Sequence, residues 1–561
     1  MSLVLGINST HDAAAALLRD GEIVMAVEEE RLSRVKHHFG MPRRAVAACV
    51  AAAGATIGDV EHAAFYMNAR KWLTVNGIHF LRNFPASRRY LGRKPALWRS
   101  FVGVDRRVRQ ETGFRGRLHF VDHHTAHIES AFWPSGFDEA AALTIDGAGE
   151  AETTVLARVD ERALTRLHTA RYPHSVGKAW ETVTDWLGWQ PTRDEGKLMG
   201  LAPYGDDRFV KQFVQVLGPK TDGSFHQDLA YFAFQRGGPR LYSERFVREF
   251  GAPRAPDGEI LDHHRAVAFA LQAQTEQVVL ALARRLRAQT NLPRLVMAGG
   301  VALNCVANGR LVREGIFDDV FIQPAAGDDG ACLGAAFHVS HRRLGVARGG
   351  ARQHAFHGPG YDAADTLAAA TARGITPERP ADIIAHTADL LARGEIVGWM
   401  QGRMEYGPRA LGHRSILANP CDPAVAEKVN RLVKFREAFR PFAPAVPLEH
   451  AADWFEGARA SPYMLLSFQV RPEMRARIPG VTHVDGSARV QTVTREQDAR
   501  FHALLGAFGS ATGVPVLLNT SFNVRGEPIV CTPAEALDAL ARTGLDAVVV
   551  GDLLFRKITG R

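Results

Sequence analysis

The sequence predicts an α/β protein of more than one domain, on three observations. At 561 residues the chain is too long for one hydrophobic core. Its composition, 46% hydrophobic and 23% charged, is that of a compact globular protein and excludes extensive disorder. Short apolar runs bounded by glycine or polar turns alternate with stretches of helical period along the whole chain. Residues 342–360 are rich in Gly, Arg and His and poor in apolar pattern, so the domain boundary is expected there, giving domains of 1–350 and 351–561.

Leu3 to Ile7 reads as a first strand, Asn8 to Asp12 as a polar turn carrying His11, and Ala13 to Leu18 with Ile23 to Val27 as the returning apolar runs. Leu143 to Gly149, around Asp146, repeats this strand-to-turn pattern. Two repeats point to a duplicated α/β core with a ligand cleft between its halves. Such turns hold phosphates in the actin, hexokinase and sugar-kinase class, although either turn alone is also an ordinary hairpin. Glu28 to His38 is dense in charge, and Lys36 within it is either a phosphate donor or a surface lysine.

His123 and His127 sit four residues apart, on one face of a helix if the stretch is helical. Two imidazoles one turn apart can grip a metal ion that needs carboxylates from elsewhere. Asp146 and Asp328, the latter directly after Gly327, are the candidates; a polar helix start is the alternative. Trp180 to Leu187 has helical period and leads to Gly196, Gly200 and Gly205, whose spacing does not match a phosphate-binding P-loop. Arg265 to Arg287 reads as a long amphipathic helix. The strand Leu295 to Ala298 opens into Gly299, Gly300 and Asn304, which either leave room for an adenine or ribose or make a tight turn.

In the second half, a helix over Ala381 to Arg393 leads to a strand at Ile396 to Met400. Arg409 and Arg414, with glycine and serine close by, make a candidate anion cradle. Lys434, Arg436 and Arg440 recur among aromatics, Arg489 adds a cation, and Ser521 ends an apolar strand. Arginines beside aromatics are often structural. Charge-assisted bonds contribute about 1.5 to 3 kcal/mol each, so several around one small dianion make a specific site.

The net charge of +8 favours anionic partners without choosing among them. Part of it is local: Arg82, Arg88, Arg89, Arg93, Lys94, Arg99, Arg106, Arg107 and Arg109 crowd a segment with Phe84, Tyr90, Trp98 and Phe101. Such a segment either tracks a phosphate backbone or faces solvent. Five scattered cysteines suggest no disulfide framework and fit a reducing cytoplasm. No basic region precedes the first apolar run, and no stretch is expected to reach the length of a membrane span. A homodimer is the ordinary expectation.

Taken together and in order, these motifs resemble the carbamoyltransferase family of the tobramycin, cephalosporin and nodulation protein U type, from end to end. The resemblance implies an actin/hexokinase-like (ASKHA) first domain, similar to the universal tRNA threonylcarbamoyl-transfer protein, and a YrdC-like second domain. It implies His123, His127, Asp146 and Asp328 as ligands of an iron-type metal, with Mn2+ or Zn2+ also suited to the set. Asp329 and His124 are not expected among the ligands. It places Lys434, Arg440, Arg489 and Ser521 at carbamoyl phosphate and Arg409 at a nucleotide. The implied reaction forms carbamoyl adenylate from carbamoyl phosphate and ATP, with Mg2+ accompanying ATP. A small hydroxylated acceptor then takes the carbamoyl group beside the metal and Lys36, with His11 as acceptor contact or general base. A secondary-metabolite hydroxyl is the expected acceptor, a Nod-factor sugar an alternative. Modification of tRNA is a competing reading, and no nucleic-acid or membrane partner is expected.

Overall fold

The computed structural model describes residues 2–82, 84–85, 87–88, 101–237, 239–350 and 354–557. Of the basic stretch, Arg89, Tyr90, Arg93, Lys94, Trp98 and Arg99 lie outside the described residues. Its last turns form the helix Val104–Thr112, where Arg107 pairs with Glu111 and Arg109 with Asp105. The chain divides into two compact units, one of Met1–Glu29 with His37–Arg352 and one of Glu30–Lys36 with Gln353–Arg561. The short segment Glu30–Lys36 thus departs from a continuous division and carries Lys36 into the second unit.

In the first unit, strands β1 (Leu3–Asn8), β2 (Ala14–Arg19), β3 (Glu22–Glu28), β4 (His62–Phe65) and β5 (Arg117–Phe120) form a sheet in the order β3-β2-β1-β4-β5. Strands β6 (Glu139–Ile145), β7 (Glu152–Asp160) and β8 (Leu164–Arg171) open a second sheet. After a short pair, β9 (Gly218–Pro219) and β10 (Phe225–His226), it is completed by β11 (Arg294–Ala298) and β12 (Asp319–Ile322), in the order β12-β11-β6-β7-β8. Both sheets follow one plan: an antiparallel meander of three strands whose first member is extended by two parallel strands. Each repeat therefore holds three strands at its start, where the sequence suggests a strand, a turn and a single return. Central β1 is buried along its whole length, which explains its uninterrupted apolar run.

The helices His123–Ser135 and Asp328–Phe337 meet at backbone contact. A Cβ placed on Gly334 would lie 1.8 Å from the Ala126 carbonyl oxygen, so only glycine admits this crossing. Gly334→Ala is expected to lower the melting temperature, because forcing atoms into a packed core costs about 1–3 kcal/mol or more. Gly196→Ala, in the helix Glu195–Leu201 with nothing within 4 Å of the added carbon, is the control. It is expected to be neutral or stabilising, and equal melting of the two variants would refute the close-packing account.

The helix Asp262–Thr290 corrects one expectation, since it is both long and apolar enough to cross a membrane. Ala266, Leu271, Val278, Leu282 and Leu286 are buried inside the unit, so its apolar character is that of a core helix. At its start His264 accepts from the Leu261 amide at Nδ1 (3.0 Å) and lies 3.1 Å from the Ala252 carbonyl at Nε2. Burial, only partly offset by the Ala252 bond, pushes the His264 pKa down to about 4. The unfolded chain binds this proton more readily, so stability falls as pH drops from about 6.5 toward 4. His264→Asn is expected to flatten that part of the melting-temperature profile, and an unchanged slope would show that other groups set it.

The second unit is built on a seven-stranded sheet. Its strands are β13 (Val397–Met400), β14 (Arg414–Ala418), β15 (Ala443–Pro447), β18 (Gln491–Val493), β19 (Leu517–Ser521), β20 (Ala547–Val550) and β21 (Leu553–Arg556). They run in the order β18-β15-β19-β14-β13-β20-β21, and β16 (Ser467–Gln469) pairs separately with β17 (Ser487–Arg489). Leu390 and Leu391 of one helix and Phe501, Leu504 and Phe508 of another cover Trp399, Leu417, Leu517 and Val549 of the sheet. Buried Arg31 donates to the Gly407 carbonyl at 3.0 Å, and Arg34 donates to the carbonyls of Ile529 and Pro528. These bonds hold the Glu30–Lys36 segment in this unit.

Candidate functional site

In the first unit, the histidine pair lies on a helix whose first turn is fixed from outside. Asp122 stands at the N-cap, and the Glu150 carboxylate accepts from the His123 amide at 3.1 Å and the Asn68 amide at 2.6 Å. Lys71 bonds both Asp122 (2.6 Å) and Glu152 (2.9 Å), and Arg166 bonds Asp122. At the other end Arg348 donates to the carbonyls of Phe132 and Trp133 in the last turn of the helix and of Phe137 just beyond it.

On this helix both imidazoles are fully buried, with their Nε2 atoms 3.1 Å apart. Asp146 Oδ2 lies 3.0 Å from His123 Nε2 and 3.8 Å from His127 Nε2, and Asp328 Oδ1 lies 3.6 Å from each. With metal–ligand bonds of about 2.0–2.2 Å, neighbouring donors in a four- to six-coordinate shell stand roughly 3.0–3.6 Å apart, so this set fits a divalent ion. The other carboxylate oxygens are held as well: the Gly300 amide donates to Asp146 Oδ1 (2.9 Å), and His11 Nε2 lies 3.4 Å from Asp328 Oδ2. Buried Nδ1 atoms on both histidines have no hydrogen-bond partner among the described residues, and the polar contacts of both rings are made at Nε2.

The charges compensate internally. Burial works against the Asp146 carboxylate, but hydrogen bonds from His123 and His127 hold its pKa well below the usual range. Burial likewise disfavours a charged His127, yet Asp146 and Asp328 raise its pKa to about 9. His124 faces Thr144 Oγ1 at 2.8 Å, outside the donor set, and burial with its two histidine neighbours lowers its pKa to about 3. Asp329 is also outside the set, and burial raises its pKa well above the ordinary carboxylate value.

Fully buried Asn8 ties the His11 turn to the helix of Asp328, donating to the carbonyls of His11, Asp12 and Asp328 and accepting from Thr10. Desolvation opposes a charged His11, but Asp328 and Asp12 outweigh it and raise its pKa to about 10. The two glycines expected to make room for a nucleotide serve the fold first. Gly299 has φ +92°, and a Cβ there would lie 2.4 Å from the Ile145 carbonyl, while Gly300 orients Asp146. Asn304 caps the helix Cys305–Arg313 by accepting from Ala307 and exchanges amide bonds with Gln272.

In the second unit, β19 ends at Ser521, and buried Lys434 reaches it. The Lys434 ammonium donates to Ser521 O (2.8 Å), Ser521 Oγ (3.1 Å), Asn523 O (2.9 Å) and Asn523 Oδ1 (2.7 Å). Burial, then the charges of Arg436, Arg440 and Lys36, push its pKa well down while this oxygen cage supports the charged form. The Arg436 guanidinium stacks 4.2 Å over Phe442. Burial followed by the charges of Arg440 and Arg489 lowers its pKa to about 9. Lys434, Ser521, Arg440, Arg489 and Lys36 thus belong to one cationic neighbourhood, with Glu437 3.8 Å from Arg440.

Arg414 does not join an anion cradle. It is fully buried, and its guanidinium donates to the carbonyls of Gln401, His413 and Cys531. Arg409 lies in the turn organised by Glu405, which accepts from the amides of Leu411, His413 and Arg414.

Residues 3–337 match the family described as Carbamoyltransferase N-terminus, and residues 388–557 match Carbamoyltransferase C-terminus. The chain belongs to the carbamoyltransferase family. It is an enzyme of that class. Among its relatives, Uncharacterized protein sll1178 of Synechocystis sp. is 38% identical over 99% of this chain and 97% of its own length. Nodulation protein NolNO of Sinorhizobium fredii is 38% identical over 98% of this chain and 79% of its own. A 3'-hydroxymethylcephem-O-carbamoyltransferase of Streptomyces clavuligerus is 32% identical over 70% of each.

Several residues that build the carbamoyltransferase's two centres escaped sequence reasoning. Glu150 lies four residues after Asp146, but its bond to the amide of His123 has no one-dimensional signal. Asn8 sat inside a turn already singled out and Asn523 lies two residues beyond Ser521, where only the folded contacts reveal their roles.

Proposed function

We propose that this carbamoyltransferase is an ATP-dependent O-carbamoyltransferase. Its second unit makes carbamoyl adenylate from carbamoyl phosphate and ATP, and its first unit transfers the carbamoyl group to a hydroxyl of a small natural product. Supporting this reading is the housing of a four-membered nitrogen and carboxylate donor set in one unit and a cation cluster in the other. The repeated strand order supports a duplicated actin/hexokinase-like first unit; a YrdC-like second unit rests on the family resemblance.

In the first step water cleaves carbamoyl phosphate, supplying the new carbamate oxygen as the acyl–phosphate bond breaks and phosphate leaves. A carbamate oxygen then attacks the α-phosphorus of ATP, accompanied by Mg2+, and pyrophosphate leaves. Lys434, Arg440, Arg489 and Ser521 hold the phosphate charge through charge-assisted bonds, with Arg409 toward the nucleotide. Lys36, among these cations, is read with this chemistry. In the second step the acceptor oxygen attacks the carbamoyl carbon, AMP leaves with the anhydride electron pair, and the hydroxyl proton passes to solvent.

His123, His127, Asp146 and Asp328 would hold the metal, with ferrous iron the proposed ion and Mn2+ or Zn2+ also compatible. When bound, a divalent ion supplies Lewis acidity toward a carbonyl or phosphate oxygen. His11, whose Nε2 lies 3.4 Å from Asp328 Oδ2, is read as the acceptor contact or general base. Gly299, Gly300 and Asn304 are read as the wall of the nucleotide side.

The name of the Streptomyces relative specifies a hydroxymethyl acceptor on a small molecule, which supports the acceptor class proposed here. A cytoplasmic setting belongs to this reading, in keeping with five cysteines scattered through the sequence without a short-spaced pair. The test is incubation of the enzyme with ATP, carbamoyl phosphate and a panel of hydroxylated natural products, scored by mass spectrometry, together with elemental analysis. An ATP-dependent carbamoyl adduct and one metal per chain are expected. Carbamoylation without ATP, or modification of tRNA alone, would defeat the reading.

A further inference from the structure

We propose that Lys71 is a specificity-determining residue of the metal centre: its ammonium is a resident cation that fills an all-carboxylate cage beside the histidines and keeps divalent ions out of it. This deepens, and rests on, the reading of His123, His127, Asp146 and Asp328 as the metal ligands.

The cage is assembled from three places in the first unit. Glu150 and Glu152 come from the segment leading into β7, and Asp122 from the N-cap of the histidine helix. Both glutamates are buried, and their oxygens and those of Asp122 lie within 4.8 Å of one another, within reach of a single ion. Lys71, in the first turn of the helix Ala69–Arg82, places its ammonium 2.6 Å from Asp122 Oδ2 and 2.9 Å from each oxygen of Glu152. Its own amide donates to Asn68 Oδ1 (3.2 Å), and the Asn68 amide donates to Glu150 (2.6 Å), so the chain around Lys71 wraps the same cage.

The charge balance shows what the ammonium replaces. Arg166 pairs with Asp122 and lies 3.8 Å from Glu152, so three carboxylates face two cationic side chains. Without Lys71 they face one, and the two negative charges left over are what a divalent ion neutralises. An all-oxygen cage suits hard cations such as Mg2+, whereas imidazole nitrogens favour transition ions. The two donor sets share an element, since Asp122 caps the histidine helix and Glu150 accepts from the His123 amide. A divalent ion in the cage would repel a second one at the histidines. An ammonium carries a single charge, and because it is part of the chain it does not exchange.

The test uses the full chain and Mn2+ as the probe. Protein stripped with a chelator is reloaded with Mn2+ and gel-filtered, bound metal is counted by elemental analysis, and calorimetric titration of Mn2+ runs alongside. Wild type is expected to hold one ion per chain. Lys71→Met and Lys71→Gln are expected to hold two, with excess Mg2+ displacing the second ion and not the first. Lys71→Arg keeps the charge and is expected to hold one. Lys71→Met combined with Glu152→Gln is expected to return to one, which locates the extra ion in the cage. A count of one in Lys71→Met and Lys71→Gln, with folding verified by circular dichroism, would overturn the inference. So would a second ion that persists in the combined variant. If wild type holds no Mn2+ and Lys71→Met holds one, the histidine reading fails while the role of Lys71 in closing the cage stands; if neither holds any, both fail.

Discussion

Arg440→Ala is expected to abolish carbamoyl-phosphate-dependent pyrophosphate release while leaving acceptor modification intact when carbamoyl adenylate is supplied. Arg440 belongs to the cation cluster of the second unit, where its charge reaches both Lys434 and Arg436. Removing it takes away at least one charge-assisted bond to phosphate, worth about 1.5–3 kcal/mol. At about 1.4 kcal/mol per tenfold in rate, that is a loss of roughly ten- to a hundredfold or more. The proposed transfer centre draws its residues from the other unit, so it is not expected to respond. Failure of added adenylate to restore the product in a folded variant would refute the division of labour.

His123→Ala is expected to behave in the opposite way. Pyrophosphate release persists, bound metal is lost, and acceptor modification fails even with carbamoyl adenylate added. The side chain supplies one of four donor atoms that converge within 4.8 Å, and a fully buried imidazole leaves a cavity when it is removed. Losing a metal ligand plausibly costs a few kcal/mol, again a hundredfold or more in transfer rate. Circular dichroism and the pyrophosphate assay confirm folding, and elemental analysis reports the metal independently of activity. Retained metal with retained transfer would show that the donor set is a structural charge cluster.

The two predictions rest on features of different visibility in the sequence. The His123 and His127 pair was legible because helical period turns a spacing of four into a shared face. The strand-to-turn pattern at Asn8 and at Asp146 likewise pointed to a repeated plan, and the two sheets follow one strand order. Ile23 to Val27, the core of β3, was legible as an apolar run after Gly21, whereas β8 carries a mixed pattern with no marker of pairing. Arg414 looked like an anion ligand because composition cannot distinguish an arginine aimed at a substrate from one spent on carbonyls. The long helix Asp262–Thr290 was read as amphipathic, and its membrane-like apolar stretch emerged only with its full extent. Lys36 was assigned by its position in the chain, whereas Arg31 and Arg34 determine its unit through bonds to residues hundreds of positions away.

The helix that carries the histidines is gripped at both ends, by Glu150 at its first amide and by Arg348 at its last carbonyls. The spacing of the two imidazoles is therefore an inheritance of the scaffold and not a product of coordination. A centre made in this way is preorganised: little ordering entropy remains to be lost when a cation arrives. Chelation should accordingly strip it without melting the unit, and a different divalent ion should be accepted in place of the first. Which divalent ion occupies the proposed site would then be decided by supply as much as by the protein itself.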